Sequence, residues 1–218
     1  MSPFPQQLLD GYRTFTSQRL PTEQSRYREL SERGQAPDVM VIGCCDSRVS
    51  PEVIFDAGPG ELFVMRNIAN LVPVYQPDSN AHGVSAALEY AVTVLRVKHI
   101  VVLGHAQCGG IRAFIDKIEP LTPGDFIGKW MAMFIKPGET VSQRDHESMA
   151  DFTIRIEKAA VFRSLENLMT FPFVQAPVGR GELFLHGAYF GVAEGSLFVL
   201  DPAAKEFRSV REEPQAGR

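Results

Sequence analysis

Two stretches decide the fold: Val39-Met40-Val41-Ile42-Gly43-Cys44-Cys45-Asp46-Ser47-Arg48, and His99-Ile100-Val101-Val102-Leu103-Gly104-His105-Ala106-Gln107-Cys108-Gly109-Gly110. Each begins with a short apolar run rich in β-branched residues, which is how a buried strand of a parallel sheet reads. Each run ends in residues that can do chemistry. The chemistry would therefore lie at the carboxyl ends of strands, where α/β folds build their sites. Cys44, His105 and Cys108 offer two thiolates and one imidazole, a set that suits Zn²⁺ and leaves a fourth position for water. Asp46 and Arg48 stand two residues apart beside them.

Working outward, 218 residues fit one domain with a large core. Hydrophobic residues make up 44% and charged residues 22%, ordinary for a globular protein. The net charge of −4, with basic residues scattered, argues against a nucleic-acid partner. No apolar run approaches the length of a membrane span, and Met1-Ser2-Pro3-Phe4-Pro5 does not open like a secretory signal. Three cysteines, two of them adjacent, make no disulfide framework. Free thiols favour a reducing compartment, so a cytoplasmic location is expected.

Helical spacing of Leu8, Leu9, Tyr12 and Phe15 predicts a helix over 5–19, and Pro21-Thr22-Glu23 opens a second to about Arg33. Strands are expected at 39–43, 62–66 and 99–103. A short helix starts at Ser50-Pro51, and Asn80 caps another running to about Arg96. The glycines after Cys108 open a helix to about Lys117. Residues 119–145 are hard to read, with one helix expected around Trp130. Ser142 and Asp145 resemble a capping signal for a long helix through about Met169, and Pro172 and Pro177 end that region. Residues 183–186 and 197–200 read as strands near a sheet edge, and the tail after about Val210 as frayed. Strands alternating with helices give an α/β fold around a mainly parallel sheet. One domain spans 1–218: a helical arm (1–34), a zinc-site core (35–117), a helical segment (118–180) and C-terminal strands with a tail (181–218).

Cys-x-Asp-Ser-Arg at 44–48, followed about sixty residues later by His-x-x-Cys-Gly-Gly at 105–110, resembles the β-class carbonic anhydrases. The resemblance continues through Pro59-Gly60-Glu61-Leu62-Phe63-Val64-Met65-Arg66-Asn67-Ile68-Ala69-Asn70, Ala87-Leu88-Glu89-Tyr90-Ala91 and, more thinly, His186-Gly187-Ala188-Tyr189. It implies a central, mainly parallel sheet with an antiparallel edge strand, flanked by helices, and N-terminal helices that pack on a partner subunit. It also implies a lyase, carbonate dehydratase, for the reversible hydration of carbon dioxide to bicarbonate and a proton. One Zn²⁺ per chain is held by Cys44, His105 and Cys108. Zinc-bound hydroxide attacks CO₂, oriented by Asp46, which Arg48 grips.

Taken singly, Cys108 reads as a buried core thiol and His105 as a satisfied loop histidine; the combined pattern carries the metal reading. Cys45 reads as a small buried hydrophobe. By resemblance, Phe63, Ile68 and Tyr90 line a narrow apolar CO₂ pocket, Gln35 hydrogen-bonds the substrate oxygen and the Gly109 N–H assists. Otherwise Phe63, Ile68 and Tyr90 read as plain core. Some pocket residues come from a neighbouring subunit in the family, so a homodimer or dimer of dimers is implied. Members that close the site do so by moving the aspartate onto zinc, governed by a bicarbonate site made of a tryptophan, an arginine and a tyrosine. Here Val41 replaces the tryptophan, Arg66 matches the arginine and Tyr189 lies near the third position, which implies an open site with Asp46 on Arg48. Two other readings use the same residues: a zinc hydrolase of CS₂ or COS, and a non-catalytic zinc or thiol-redox module.

Overall fold

A computed structural model of the chain describes residues 4–78, 80–116, 123–135 and 140–210. Among them, six strands form one sheet in the order β2-β1-β3-β4-β5-β6. Strands β1 (Val39–Cys44), β2 (Leu62–Asn67), β3 (His99–His105) and β4 (Phe184–Gly191) run parallel. Strands β5 (Ser196–Asp201) and β6 (Glu206–Ser209) continue the sheet antiparallel. The parallel core with antiparallel strands at one edge is the expected class; β6, which follows the expected edge strand, is an addition. It pairs through Asp201 opposite Glu206, and an Arg208–Asp201 ion pair reinforces the turn.

From β1 the chain moves out to β2 and then returns to place β3 on the other side. Such a reversal leaves a crevice beyond the carboxyl ends of the two diverging strands. Alternation along β1 and β3 sends Met40, Ile42, Ile100 and Val102 to one face. There they are buried against Leu88, Val161, Leu168 and Val174. Those four come from α4 (Gly83–Glu89), α7 (Met149–Leu168) and α8 (Pro172–Gly179). The opposite face carries Val41, Leu103 and Ala188 with half-buried Val39, Val64, Val101 and Phe190, backed by Ile54 and Phe55 around the short helix α3 (Pro51–Ile54). At the carboxyl end a third cluster packs Cys44, Ala69, Cys108, Ile111, Met131 and Ile156 together. It draws on α5 (Gly109–Ile115) and α6 (Phe126–Ala132).

The N-terminal arm differs from the sequence reading. Helices α1 (Gln6–Thr14) and α2 (Leu20–Arg33) join through a π-helical turn, Phe15–Arg19, into one continuous rod. The Leu20 N–H bonds back five residues to the Phe15 carbonyl. That wide turn makes room for the Pro21 ring, so the proline does not start a new helix. No residue of the rod is buried, and Phe4, Leu8 and Tyr12 lie exposed. Its end touches the sheet domain where Leu30 crosses Gly60: a Cβ there would meet Leu30 Cδ2 at 2.6 Å, and the φ of 81° is one that favours glycine.

Three other boundaries move. Asn80 spends its amide on Asp78, which also takes His82, so α4 starts only at Gly83. The long helix is capped by Ser148, which accepts from the Asp151 N–H at 3.1 Å, and not by Ser142. Glu147 accepts from the Arg144 N–H and from Arg155, holding the preceding residues in a turn. Pro172 opens α8 at its first position, where a missing N–H costs nothing, and Pro177 lies inside that helix. Lys117 and the tail beyond Val210 lie outside the described residues. No described helix is long and apolar enough to cross a membrane.

Candidate active site

Cys44 ends β1 and His105 ends β3, so the crevice at the strand reversal receives both. Cys108 stands immediately before α5, in the loop that follows β3. All three are buried. Their ligand atoms lie within 4.8 Å of one another, and the two sulfurs are 3.9 Å apart. Tetrahedral zinc with Zn–S bonds of ~2.3 Å separates two sulfurs by about 3.8 Å. His105 Nδ1 lies 2.9 Å from the Ala106 carbonyl, which makes it the protonated nitrogen. Nε2 is left as a buried acceptor with no hydrogen-bond partner. An unpartnered imidazole nitrogen beside two buried thiols is a donor set able to hold a metal ion, and its chemistry fits Zn²⁺.

The contact with the Cys108 sulfur draws the Cys44 thiol well below its ordinary value, helped by the neighbouring imidazole and opposed by burial. Cys108 rises in consequence, with burial adding to the shift. Burial alone would lower the His105 imidazole, but its contacts with Cys44 and the Ala106 carbonyl raise it on balance.

Asp46 and Arg48 follow β1 directly. Asp46 Oδ1 accepts from Arg48 Nε at 2.9 Å and from the Arg48 backbone N–H at 3.0 Å; Oδ2 accepts from Nη2 at 2.7 Å. These bonds hold the Asp46 carboxyl well below the usual carboxylate range, so it is ionised at neutral pH. Arg48 Nη2 also donates to the Gln107 carbonyl at 3.0 Å, tying the first motif to the second. Arg66 takes a different place from the anion site considered above. Its Nε donates to the Cys44 carbonyl at 2.8 Å and Nη2 to the Asp46 carbonyl at 2.7 Å. It braces the turn that carries a ligand and the carboxylate. Cys45 is exposed, not buried, because the residue after Cys44 points out of the cluster; its N–H bonds to the Asn67 carbonyl.

The proposed pocket residues divide into two groups. Ile68 packs into the cluster around Cys44 and Cys108, with its carbonyl accepting from Trp130 Nε1 at 2.8 Å. Gly109 opens α5 next to Cys108. Phe63 pairs with Met40, four residues before Cys44, which is about 13 Å down the strand. Tyr90, 44% exposed, lies against Phe63 with ring centroids 6.0 Å apart, and exposed Gln35 precedes β1. Within one chain, Gln35, Phe63 and Tyr90 stand away from the metal cluster.

Sequence reading missed Glu157. It lies on the buried face of α7 with Ala160, Val161, Ser164 and Leu168, and its carboxylate accepts from the Cys108 N–H. An acidic residue in an apolar helical stripe was the available signal.

Comparison with known proteins gives a consistent result. A carbonic anhydrase from Pseudomonas aeruginosa is 36% identical over 208 residues, covering 95% of this chain and 93% of its own. The structure of the β-carbonic anhydrase CcaA superposes with a TM-score of 0.84 at 27% identity, covering 97% of this chain and 92% of that one. One of two tetrameric β-carbonic anhydrases from Sordaria macrospora gives 0.73 at 30% identity, covering 89% and 95%. The family model for carbonic anhydrases matches residues 39–197. That span contains Cys44, His105, Cys108 and the Asp46–Arg48 pair, and the chain belongs to the β-carbonic anhydrase family.

Proposed function

We propose that the protein holds one Zn²⁺ per chain on Cys44, His105 and Cys108 and catalyses the reversible hydration of CO₂ to bicarbonate and a proton. The observation that carries this reading is the orphaned His105 Nε2 facing two buried thiols, beside a carboxylate fixed by an arginine. Zinc in such a site supplies a nucleophile at neutral pH by lowering the pKa of water from 15.7 to about 7. The chain's own residues supply the orientation. Ionised Asp46 can only accept hydrogen bonds. It holds the O–H of the attacking group at a carboxylate oxygen and turns the oxygen's lone pair toward the carbon. Arg48 keeps that carboxylate from rotating, because two parallel bonds fix its plane. Ile68 excludes water on one side, and the Gly109 N–H faces the product oxygens.

Gln35, Phe63 and Tyr90 complete the pocket from a second copy of the chain. Their distance from the chain's own cluster supports this reading, as does the rod without buried residues. A homodimer is then the smallest active unit, and a dimer of dimers fits the tetrameric relatives from Sordaria macrospora. Free thiols suit a cytoplasmic setting.

Zinc content and stopped-flow CO₂ hydration on the same sample test the reading. One zinc per chain and hydration abolished by chelation are expected. A zinc-loaded protein inert toward CO₂ but active on CS₂ or COS would overturn it.

A further inference from the structure

Glu157 is only 2% exposed. A buried carboxylate is costly unless its oxygens are hydrogen-bonded, and both oxygens of Glu157 are. Oε1 accepts from the Cys108 N–H at 2.9 Å and Oε2 from the Tyr189 hydroxyl at 2.7 Å. Burial pushes the Glu157 carboxyl up, opposed by the Tyr189 hydroxyl and by the N–H groups of Cys108 and Gln107.

Those two N–H groups belong to one tight turn. Gln107 is left-handed at φ 58° and Cys108 is extended at φ −67°, ψ 119°. A left-handed non-glycine residue persists only where its surroundings hold it there. Glu157 takes the Cys108 N–H from α7, while Arg48 takes the Gln107 carbonyl on the other side. The turn is gripped from both sides, and each grip leads to the site.

We propose that Glu157, steadied by Tyr189, is a positioning residue. It locks the Gln107-Cys108 turn so that the Cys108 thiol faces Cys44 and His105, and through the Gln107 carbonyl it sets the Arg48–Asp46 pair. This rests on the metal reading given above. A carboxylate suits the role because it accepts on both oxygens. Glutamine can keep one acceptor on the Cys108 N–H and turn its amide to donate to the Tyr189 oxygen. Alanine leaves the Cys108 N–H and the Tyr189 hydroxyl without this partner.

The full-length protein, stripped of metal and reloaded with Zn²⁺ or Co²⁺, tests this without a turnover assay. Partners behind metal ligands commonly govern affinity by about 10–100-fold. Glu157→Ala is expected to weaken zinc by that factor in a chelator competition and to shift the thiolate-to-Co²⁺ and ligand-field bands. Glu157→Gln should recover most of both, and Tyr189→Phe, one partner further out, should weaken zinc measurably but by less than about 10-fold. A merely structural carboxylate would lower stability while leaving affinity and Co²⁺ spectrum native in the folded fraction, and that result in Glu157→Ala overturns the proposal. If Glu157→Ala does not fold, Glu157→Gln and Tyr189→Phe decide; native zinc affinity in both overturns it. A wild-type protein that takes up neither ion overturns the metal reading and this proposal together. Native binding in wild type and variants alike overturns this proposal alone.

Discussion

Ser164→Ala removes a single oxygen, and its cost follows from two hydrogen bonds. Ser164 is fully buried on α7. Its hydroxyl donates to the Asn70 carbonyl at 3.0 Å and accepts from the Val72 N–H at 3.2 Å. These bonds hold residues 68–72, where Ala69 and Asn70 are left-handed at φ 61° and 49° without being glycine. Asn167 helps by donating to the Val72 carbonyl, and the Asn67 side chain brackets Leu71. Alanine leaves one buried N–H and one buried carbonyl unpaired, at about 1–3 kcal/mol each. Easier burial of a methyl than of a hydroxyl offsets part of this, for a net loss of about 2–4 kcal/mol. A chain of this size loses about 2–4 °C in Tm per kcal/mol, so a fall of about 4–16 °C is expected. Thermal unfolding of metal-loaded protein at one fixed concentration measures it. Ser17→Ala is the control, since that hydroxyl bonds the Arg13 carbonyl in the exposed rod and should change stability by under about 0.5 kcal/mol. A Ser164→Ala shift no larger than the Ser17→Ala shift would refute the argument that buried pairing holds this segment.

Cys44→Ser, His105→Ala and Cys108→Ser should each lose zinc and CO₂ hydration together; stoichiometric zinc with native rate in any of them would remove that residue from the ligand set. Asp46→Asn should keep zinc and lose about 10²-fold or more in rate, because an amide can donate where the carboxylate only accepts; full activity would take Asp46 out of the mechanism. Removing residues 1–33 should give inactive or aggregated protein, and a fully active monomer by light scattering would contradict the shared pocket. Glu147, held at about 2 by Arg155, contributes stability above its ordinary pKa of about 4.3 and loses it as pH falls through about 2. Acid unfolding of Glu147→Gln should therefore differ from wild type by a constant amount above about pH 5 and converge near pH 2; a gap that persists at pH 2 would assign the effect to packing.

What the sequence determined by itself was local. Apolar, β-branched runs before Gly43 and Gly104 can be little other than buried strands, because alternation and flanking glycines leave few alternatives. The spacing of His105 and Cys108 puts two donors three residues apart, and Asp46 two residues from Arg48 puts a carboxylate within reach of a guanidinium. Those signals sufficed for the α/β class and for the residues of the cluster. Only the tertiary structure decided how far apart remote pieces lie. Cys44 meets Cys108 across 64 positions because β1 and β3 pair. Glu157 reaches the Cys108 N–H because α7 packs across the carboxyl end of β3. Gln35, Phe63 and Tyr90 sit toward the opposite end of the strands, a placement fixed by register and not by composition. The caps moved for the same reason: Asp78 and Glu147 captured the turns ahead of α4 and α7, and such side-chain competition depends on which groups the folded chain brings within about 3 Å.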